Sequence, residues 1–329
     1  MNLNTLWFLI IGFVLTIYVI LDGLDLGIGI ILLFTPKDKY KNREQLIEII
    51  GPHWNGNEVW LLVFGGMLFA IFPKVYAALL SGMYLPFIIL LIVFIVRGIS
   101  IPLRNRYDNN LWHNFWDLCL GISSLSIAFL FGAVVAILIQ GLGINQNGFI
   151  KLNLQKVITP FSLWVGITSV TLLCLHGAIY AGRKSKEELN SFCLKTTSTS
   201  WILMLVFSIP TEIIILKNEA SNIFENHLLL YLLFLILFIG AIIYIPLALK
   251  KQSFNKAFLA SSLIIVHFTA LLYMYSYPNL LRSTEVTDNL TIYNASVSTS
   301  SMIVMLILTT ITMPIVICYT IYTHIILDQ

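Results

Sequence analysis

The feature that most constrains this chain is its succession of apolar runs, near 5–34, 56–73, 76–102, 117–140, 158–182, 199–217, 227–249, 256–277 and 302–327. Each is about 18 residues or longer, enough to cross a hydrocarbon core of roughly 30 Å as a helix. The chain is therefore read as an all-α, polytopic membrane protein of nine helices, one integral membrane domain over 1–329. Charged residues make up only 11% of it, against about 25% in a soluble domain. The second run is short and opens in polar sequence; the first is long enough to tilt or to extend beyond the bilayer. With no basic leader or small-residue cleavage site, the first run is expected to be a retained helix.

Basic residues in short connections set the orientation. Alternate loops hold thirteen of them (Lys37, Lys39, Lys41 and Arg43; Arg104 and Arg106; Arg183, Lys184, Lys186 and Lys195; Lys250, Lys251 and Lys256), and the remaining loops hold five. That asymmetry puts the N-terminus outside and the C-terminus in the cytoplasm. A net charge of +3 without a basic stripe does not indicate nucleic acid. Cys119, Cys174, Cys193 and Cys318 lack C-x-x-C spacing, so neither a disulfide framework nor a metal site is expected, only buried thiols. The longest connection, 278–301, falls on the outer side and is rich in Ser, Thr and Asn; its N-x-[ST] sequences at Asn289 and Asn294 arise easily by chance.

An ionisable group near the bilayer centre costs from about 2.5 to more than 10 kcal/mol unless it faces protein or water, so the charged residues inside the runs carry the information. In "YVILDGLDLGIGIILLF", Asp22 and Asp25 lie about one turn apart on one helix. Gly23 and Gly27 have the small-xxx-small spacing that lets another helix pack closely over the carboxylates; the alternative is that both aspartates are solvated near the inner interface. In "GPHWNGNEVWLLVFGG", Asn55 or Asn57 can cap the next helix and Glu58 falls in its first turn. Trp54 and Trp60 bring two amphipathic rings to the same helix start, where an aromatic belt accounts for either. Arg97 either snorkels to the boundary or pairs with one of these carboxylates or with an anionic cofactor group on a partner chain. His176 and His267 are intramembrane, as haem ligands or, more simply, as hydrogen-bonded bundle residues. Asp117 and Glu212 are expected to be solvated at helix ends; His113, His227 and His324 lie near loops or ends and carry no signal.

Taken together, "LDGLDLGIG", "GPHWNGNEVWLL" with "GGMLFAIFPKVYAALLSGMYLP", and "NLTIYNASVSTSSM" before "PIVICYTIY" resemble subunit II of the cytochrome bd-type quinol oxidases, over nearly the whole chain and in the same motif order. The resemblance implies two four-helix bundles plus one additional helix, and a haem-free subunit in a bacterial-type cytoplasmic membrane. Its partner would be subunit I, which holds haem b and haem d, oxidises quinol near the outer face and reduces dioxygen to water. In some members subunit II lines an oxygen channel or holds a structural quinone, and a small single-helix subunit is a further partner. It also implies that no catalytic residue or metal lies on this chain. By motif position, the resemblance puts Asp22 and Asn55 on a proton path from the cytoplasm, Trp54 and Arg97 at the interface near the partner haems, and Trp60 at an oxygen-channel mouth; Asp25, one turn from Asp22, is expected on the same path. The sequence departs from the family at Asn55, an aspartate in many relatives. Asparagine takes up no proton in the working range, so either Asn55 only holds water or Glu58 supplies the titrating group. Two readings compete: a cation-coupled transporter with its ion on the glycine-broken first helix, and a cytochrome using His176 and His267.

Overall fold

The computed structural model describes residues 2–36, 39–144, 150, 157–185, 187–283 and 289–326, without the side chains of 187, 218–226, 325 and 326. The elements are α1 (Leu3–Phe34), α2 (Tyr40–Ile50), α3 (Trp54–Ile71), α4 (Pro73–Gly82), α5 (Tyr84–Arg104), α6 (Asn110–Gln140), α7 (Pro160–Lys184), α8 (Glu187–Lys250), α9 (Phe254–Ser276), β1 (Asn279–Leu281), β2 (Leu290–Thr291) and α10 (Thr299–Ile326). Among the described residues eight helices are long and apolar enough to cross a membrane, nine when the bent pair α3–α4 counts as one span. The all-α polytopic expectation holds.

Helical backbone in α8 is continuous, yet the element is two spans, Glu188–Lys217 and His227–Lys250. Trp201 Nε1 donates to the Ile242 carbonyl at 3.1 Å and the Tyr231 hydroxyl donates to Glu212 at 3.1 Å. At 1.5 Å per residue a straight helix would hold the first pair roughly 60 Å apart. The chain therefore doubles back between Glu212 and Tyr231, giving the antiparallel pair that the runs 199–217 and 227–249 predict.

The expected spans 56–73 and 76–102 are redrawn. Pro73 supplies no backbone N–H and restricts Phe72 (φ −123°, ψ 60°), so α3 stops at Ile71 and the chain restarts as α4 at an angle of 116°. The third span begins only after Met83, as α5. A further element absent from the predicted spans is α2, whose Leu46, Ile47 and Ile50 are buried against the helix ends.

Contacts sort the helix ends into two layers. At the end carrying the basic loops, Lys39 pairs with Glu188, Arg43 with Asp117, and the Tyr40 hydroxyl with His113 Nδ1. At the opposite end, Trp7 Nε1 donates to the Met302 carbonyl, Lys74 to the Asn294 carbonyl, and the β1–β2 hairpin joins α4, α6 and α10 in one apolar cluster around Phe8, Ile71, Leu281 and Ile292. The Asn289 side chain accepts from the Ser283 amide and the Asn294 side chain from the Thr291 amide, so both asparagines shape this turn.

Helix α1 touches α3, α6, α7 and α9, and α7 is the most enclosed span: two thirds of its apolar window is buried, against 6% for α10. Close approach of α1 and α7 rests on Gly27 and Gly177. A Cβ on Gly27 would strike the Leu173 carbonyl and the Gly177 backbone, neither of which can rotate aside. Gly27→Ala is accordingly expected to destabilise at the upper part of the roughly 1–3 kcal/mol range for overpacking, only partly offset by about 1 kcal/mol of helix propensity. Gly240, with open space at its Cβ, is the control: thermal unfolding in detergent should register the first substitution and not Gly240→Ala.

Candidate functional site

The charged residues of three helices converge on one guanidinium. Arg97, on α5 and 2% exposed, sends Nη2 to Asp22 Oδ1 on α1 at 2.5 Å and Nη1 to Glu58 Oε1 on α3 at 2.5 Å. Asp25 Oδ2 lies 3.9 Å from Nη2. Burying charges this deeply is expensive unless the geometry is good and the remaining lone pairs are satisfied, and for Asp22 they are: its second oxygen accepts from the Tyr18 hydroxyl at 2.8 Å. Tyr18 stands four residues before Asp22, the spacing at which helix side chains meet.

Asp25 is bound more loosely. Its Oδ2 accepts from the Asn57 amide at 2.8 Å, while its buried Oδ1 has no hydrogen-bond partner among the described residues. With its NH2 turned to Asp25, Asn57 presents its carbonyl to His324 Nε2, which donates at 3.3 Å. His324 in turn stacks on His53, ring centroids 4.4 Å apart and planes within 6°. A continuous polar file therefore leads from the basic-loop end through His53, His324 and Asn57 to Asp25, and on to Arg97, Asp22 and Glu58.

The predicted site residues divide. Asp22, Asp25, Glu58 and Arg97 are brought together; Arg97 does not snorkel, because it is enclosed between α1 and α3. Neither aspartate is solvated at the inner interface: both are buried to within 1%. At about 100° per residue, Gly23 and Gly27 lie across α1 from the aspartates. The helix they admit, α7, therefore packs on the far face, and α3 and α5 cover the carboxylates. Asn55 is exposed on α3 and does not join the cluster. Neither Asn55 nor Asn57 caps α3, whose N-cap is His53, without a side-chain cap bond. Trp54 is half-buried, its ring lying over Gly98. Trp60 is no belt residue: it is 1% exposed, packed with Val14 and Tyr18, and its Nε1 donates to Thr320 on α10 at 3.2 Å.

Two further buried ion groups correct the expectation of solvated helix ends. Asp117 accepts from Arg43 Nε at 2.9 Å and Arg104 Nε at 2.6 Å, tying α2, α5 and α6. Beside it His113, also buried, meets the Tyr40 hydroxyl at 2.8 Å. Burial first, then the nearby Glu44 carboxylate, holds that hydroxyl above the ordinary tyrosine range. Glu212 accepts from Tyr231 and faces His267 Nε2 at 3.0 Å, with His267 stacked on Phe238 at 4.4 Å. Of the cysteines expected to be buried, Cys174 and Cys193 are; Cys119 is partly exposed and Cys318 is exposed.

The two intramembrane histidines are set in different surroundings. Both nitrogens of His176 are engaged, Nδ1 with Ser261 at 2.8 Å and Nε2 with the Ile20 carbonyl at 3.0 Å. His267 has Nε2 committed to Glu212 and its ring stacked on Phe238, while its buried Nδ1 has no hydrogen-bond partner among the described residues. A cavity of about 150 Å³ lies between α1, α6, α7, α8 and α9, lined by Val19, Phe131, Thr168 and Leu172 among others, and a more open one of about 450 Å³ lies between α5, α6 and α7, lined by Ile89, Val93, Leu125 and Phe129 among others.

Sequence and fold comparisons agree with this architecture. A family model described as cytochrome bd terminal oxidase subunit II matches residues 3–327. The chain is 33% identical over 208 residues to the cytochrome bd-I ubiquinol oxidase subunit 2 of Escherichia coli (strain K12), covering 62% of this chain and 54% of that protein, so the match spans about half the relative's length. It is 29% identical over 329 residues to the cytochrome bd ubiquinol oxidase subunit 2 of Bacillus subtilis (strain 168), covering 98% and 95% of the two chains. Its fold is similar to a chain of the bd oxidase from Geobacillus thermodenitrificans, with a TM-score of 0.80, 18% identity and coverage of 99% and 98%.

Proposed function

The chain belongs to the cytochrome bd terminal oxidase subunit II family, and from that premise we propose that it is the haem-free half of a quinol:dioxygen oxidoreductase in a bacterial cytoplasmic membrane. Its partner, on this reading, is a haem-bearing subunit I that oxidises quinol and reduces dioxygen to water. The haems supply the electron transfer and oxygen chemistry there, and this chain's own residues supply protons and hold the partner.

The observation that carries the reading is the buried set of three carboxyls around a single guanidinium, reached by a polar file from the basic-loop end. Forming water consumes protons, and a reducing site closed to the outside must draw them through protein. One guanidinium balances one carboxylate, so the cluster has capacity to hold protons on the other carboxyls. Asp22, with both oxygens engaged, is assigned the anchoring role; Asp25, with one oxygen unpartnered, is assigned the carrier role. Glu58, whose side chain is 24% exposed, is assigned to the exit toward the partner.

The thirteen basic residues support an orientation in which the His53–His324 end of the polar file, and the C-terminus, face the cytoplasm. Subunit I is assigned to the exposed side of α3, where Asn55 and Glu58 interrupt an apolar surface and Gly65 and Gly66 leave open space. In that position Asn55 holds water at the interface, and Trp54 and Arg97 stand nearest the partner's haems. Trp60, enclosed between α1, α3 and α10, is assigned to the wall of an oxygen route. A structural quinone and a small single-helix subunit belong to the proposal from family resemblance alone. The family match does not favour the ion-coupled transporter.

The test is purification of the complex through a tag on this chain, followed by a reduced-minus-oxidised spectrum and separation of the polypeptides. The expected result is haem b and haem d in the complex and none on the separated chain. Haem retained by this polypeptide alone, or its isolation with no haem-bearing companion, would contradict the proposal.

A further inference from the structure

We infer that His324 and His53 form the proton-collecting entrance that supplies Asp25. The inference rests on the proposed proton-delivering role and adds to it the residues that take protons from the cytoplasm. His324 carries no signal in sequence, lying near the end of the last apolar run. The structure sets it on the inner part of α10, donating through Nε2 to Asn57 and stacked face to face on His53 at the start of α3. The two rings come from helices far apart in sequence and meet where the file from Asp25 reaches the basic-loop end.

Three physical points support it. Histidine is the side chain whose ordinary titration lies between about pH 5 and 8, so it can gain a proton from bulk water and release it at cytoplasmic pH. Two imidazoles stacked at 4.4 Å oppose a second positive charge, so the pair holds one exchangeable proton as a unit. Asn57 cannot carry that proton itself, but it fixes both neighbours: its NH2 faces Asp25 and its carbonyl holds the His324 N–H. Toward the basic-loop end, the titratable and charged groups on the elements next to the pair are Tyr18, Asp22 and Asp25 on α1, Tyr40, Lys41, Arg43, Glu44 and Glu48 on α2, Glu58 on α3, Arg97 and Arg104 on α5, and Tyr319 and Tyr322 on α10. Of these, Asp25 is joined to the pair through one residue and has an oxygen to spare. In the step, a proton leaves His324, water carries it past Asn57, and Asp25 Oδ1 takes it up; the neutral pair is then recharged from the cytoplasm, so one proton enters for each one delivered.

The assembled oxidase complex in detergent, reducing oxygen with excess quinol, provides the test across the pH range. His324→Phe keeps a ring to stack on His53 and removes the N–H donor and the titrating group. Its turnover is expected to be close to wild type near pH 5.5, where hydronium reaches Asp25 directly, and about tenfold lower near pH 7.5, a smaller loss than at the reacting bond because water partly substitutes. His324→Gln keeps a donor for Asn57 but cannot titrate, and is expected to show the same pH-dependent loss. If His324→Phe fails to assemble with haem, His324→Gln decides alone. An equal defect at every pH, or a wild-type profile in His324→Gln, overturns the inference and leaves a structural role in holding Asn57. A wild-type complex that reduces no oxygen would instead overturn the functional reading beneath it.

Discussion

Arg97→Met is expected to destabilise the assembled protein by about 3–5 kcal/mol, the cost of leaving buried charge unpaired. Arg97 is the only cation in its cluster among the described residues, and it faces Asp22, Asp25 and Glu58. It also ties three helices, since Nη2 holds α1 through Asp22 and Nη1 holds α3 through Glu58. Removing it leaves carboxyls that must stay protonated or repel one another, and frees α5 from both neighbours. Arg97→Lys restores the charge but not the fork that reaches two carboxylates from different nitrogens, so an intermediate stability is expected. Yield of assembled complex and its thermal midpoint in detergent read the series; a methionine variant as stable as wild type would show that the cluster does not hold these helices together.

Much of this architecture is legible in the sequence because the bilayer imposes it. Six of the nine apolar runs coincide with a helix to within a few residues, while α6 and the first half of α8 begin earlier than their runs and the third span begins later. The break at Phe72 is harder to read, because Pro73 sits between two apolar stretches whose hydropathy is continuous. For the site, cost does the selecting: Asp22, Asp25, Glu58 and Arg97 stand out because lipid does not tolerate them, and the fold brings all four together. Partnership is not legible. Nothing local in sequence says that Arg97 meets Asp22 rather than water, that Asn57 turns inward while Asn55 turns out, or that His324 reaches residue 57. Those pairings depend on how helices rotate about their axes, which is set by the Gly27–Gly177 contact and similar close approaches. Tyr18 is within reach of sequence reasoning, since its i, i+4 relation to Asp22 is a helix-neighbour spacing. Nearness to helix ends suggests solvation for Asp117 and Glu212; α2 folding over Arg43 and Asp117, and the hairpin of α8 closing over Glu212, bury them instead.

Asp25→Asn carries the second large expectation. Asparagine fits the same volume and still accepts from Asn57, so packing is retained, but it cannot gain and release a proton. Removing a proton-transferring group of this kind typically lowers rate on the order of 10²-fold. Asp22→Asn differs: both oxygens of Asp22 are engaged by Arg97 and Tyr18, Arg97 keeps Glu58 and Asp25 as partners, and the loss in turnover is expected to be smaller. The most direct measurement is therefore quinol-driven oxygen consumption by the purified complex carrying Asp25→Asn, alongside its haem spectrum and alongside Asp22→Asn. Proton delivery through Asp25 predicts an intact haem spectrum with turnover reduced about 10²-fold in Asp25→Asn and less in Asp22→Asn; full turnover in Asp25→Asn, or loss of the haems with it, would contradict delivery through this cluster.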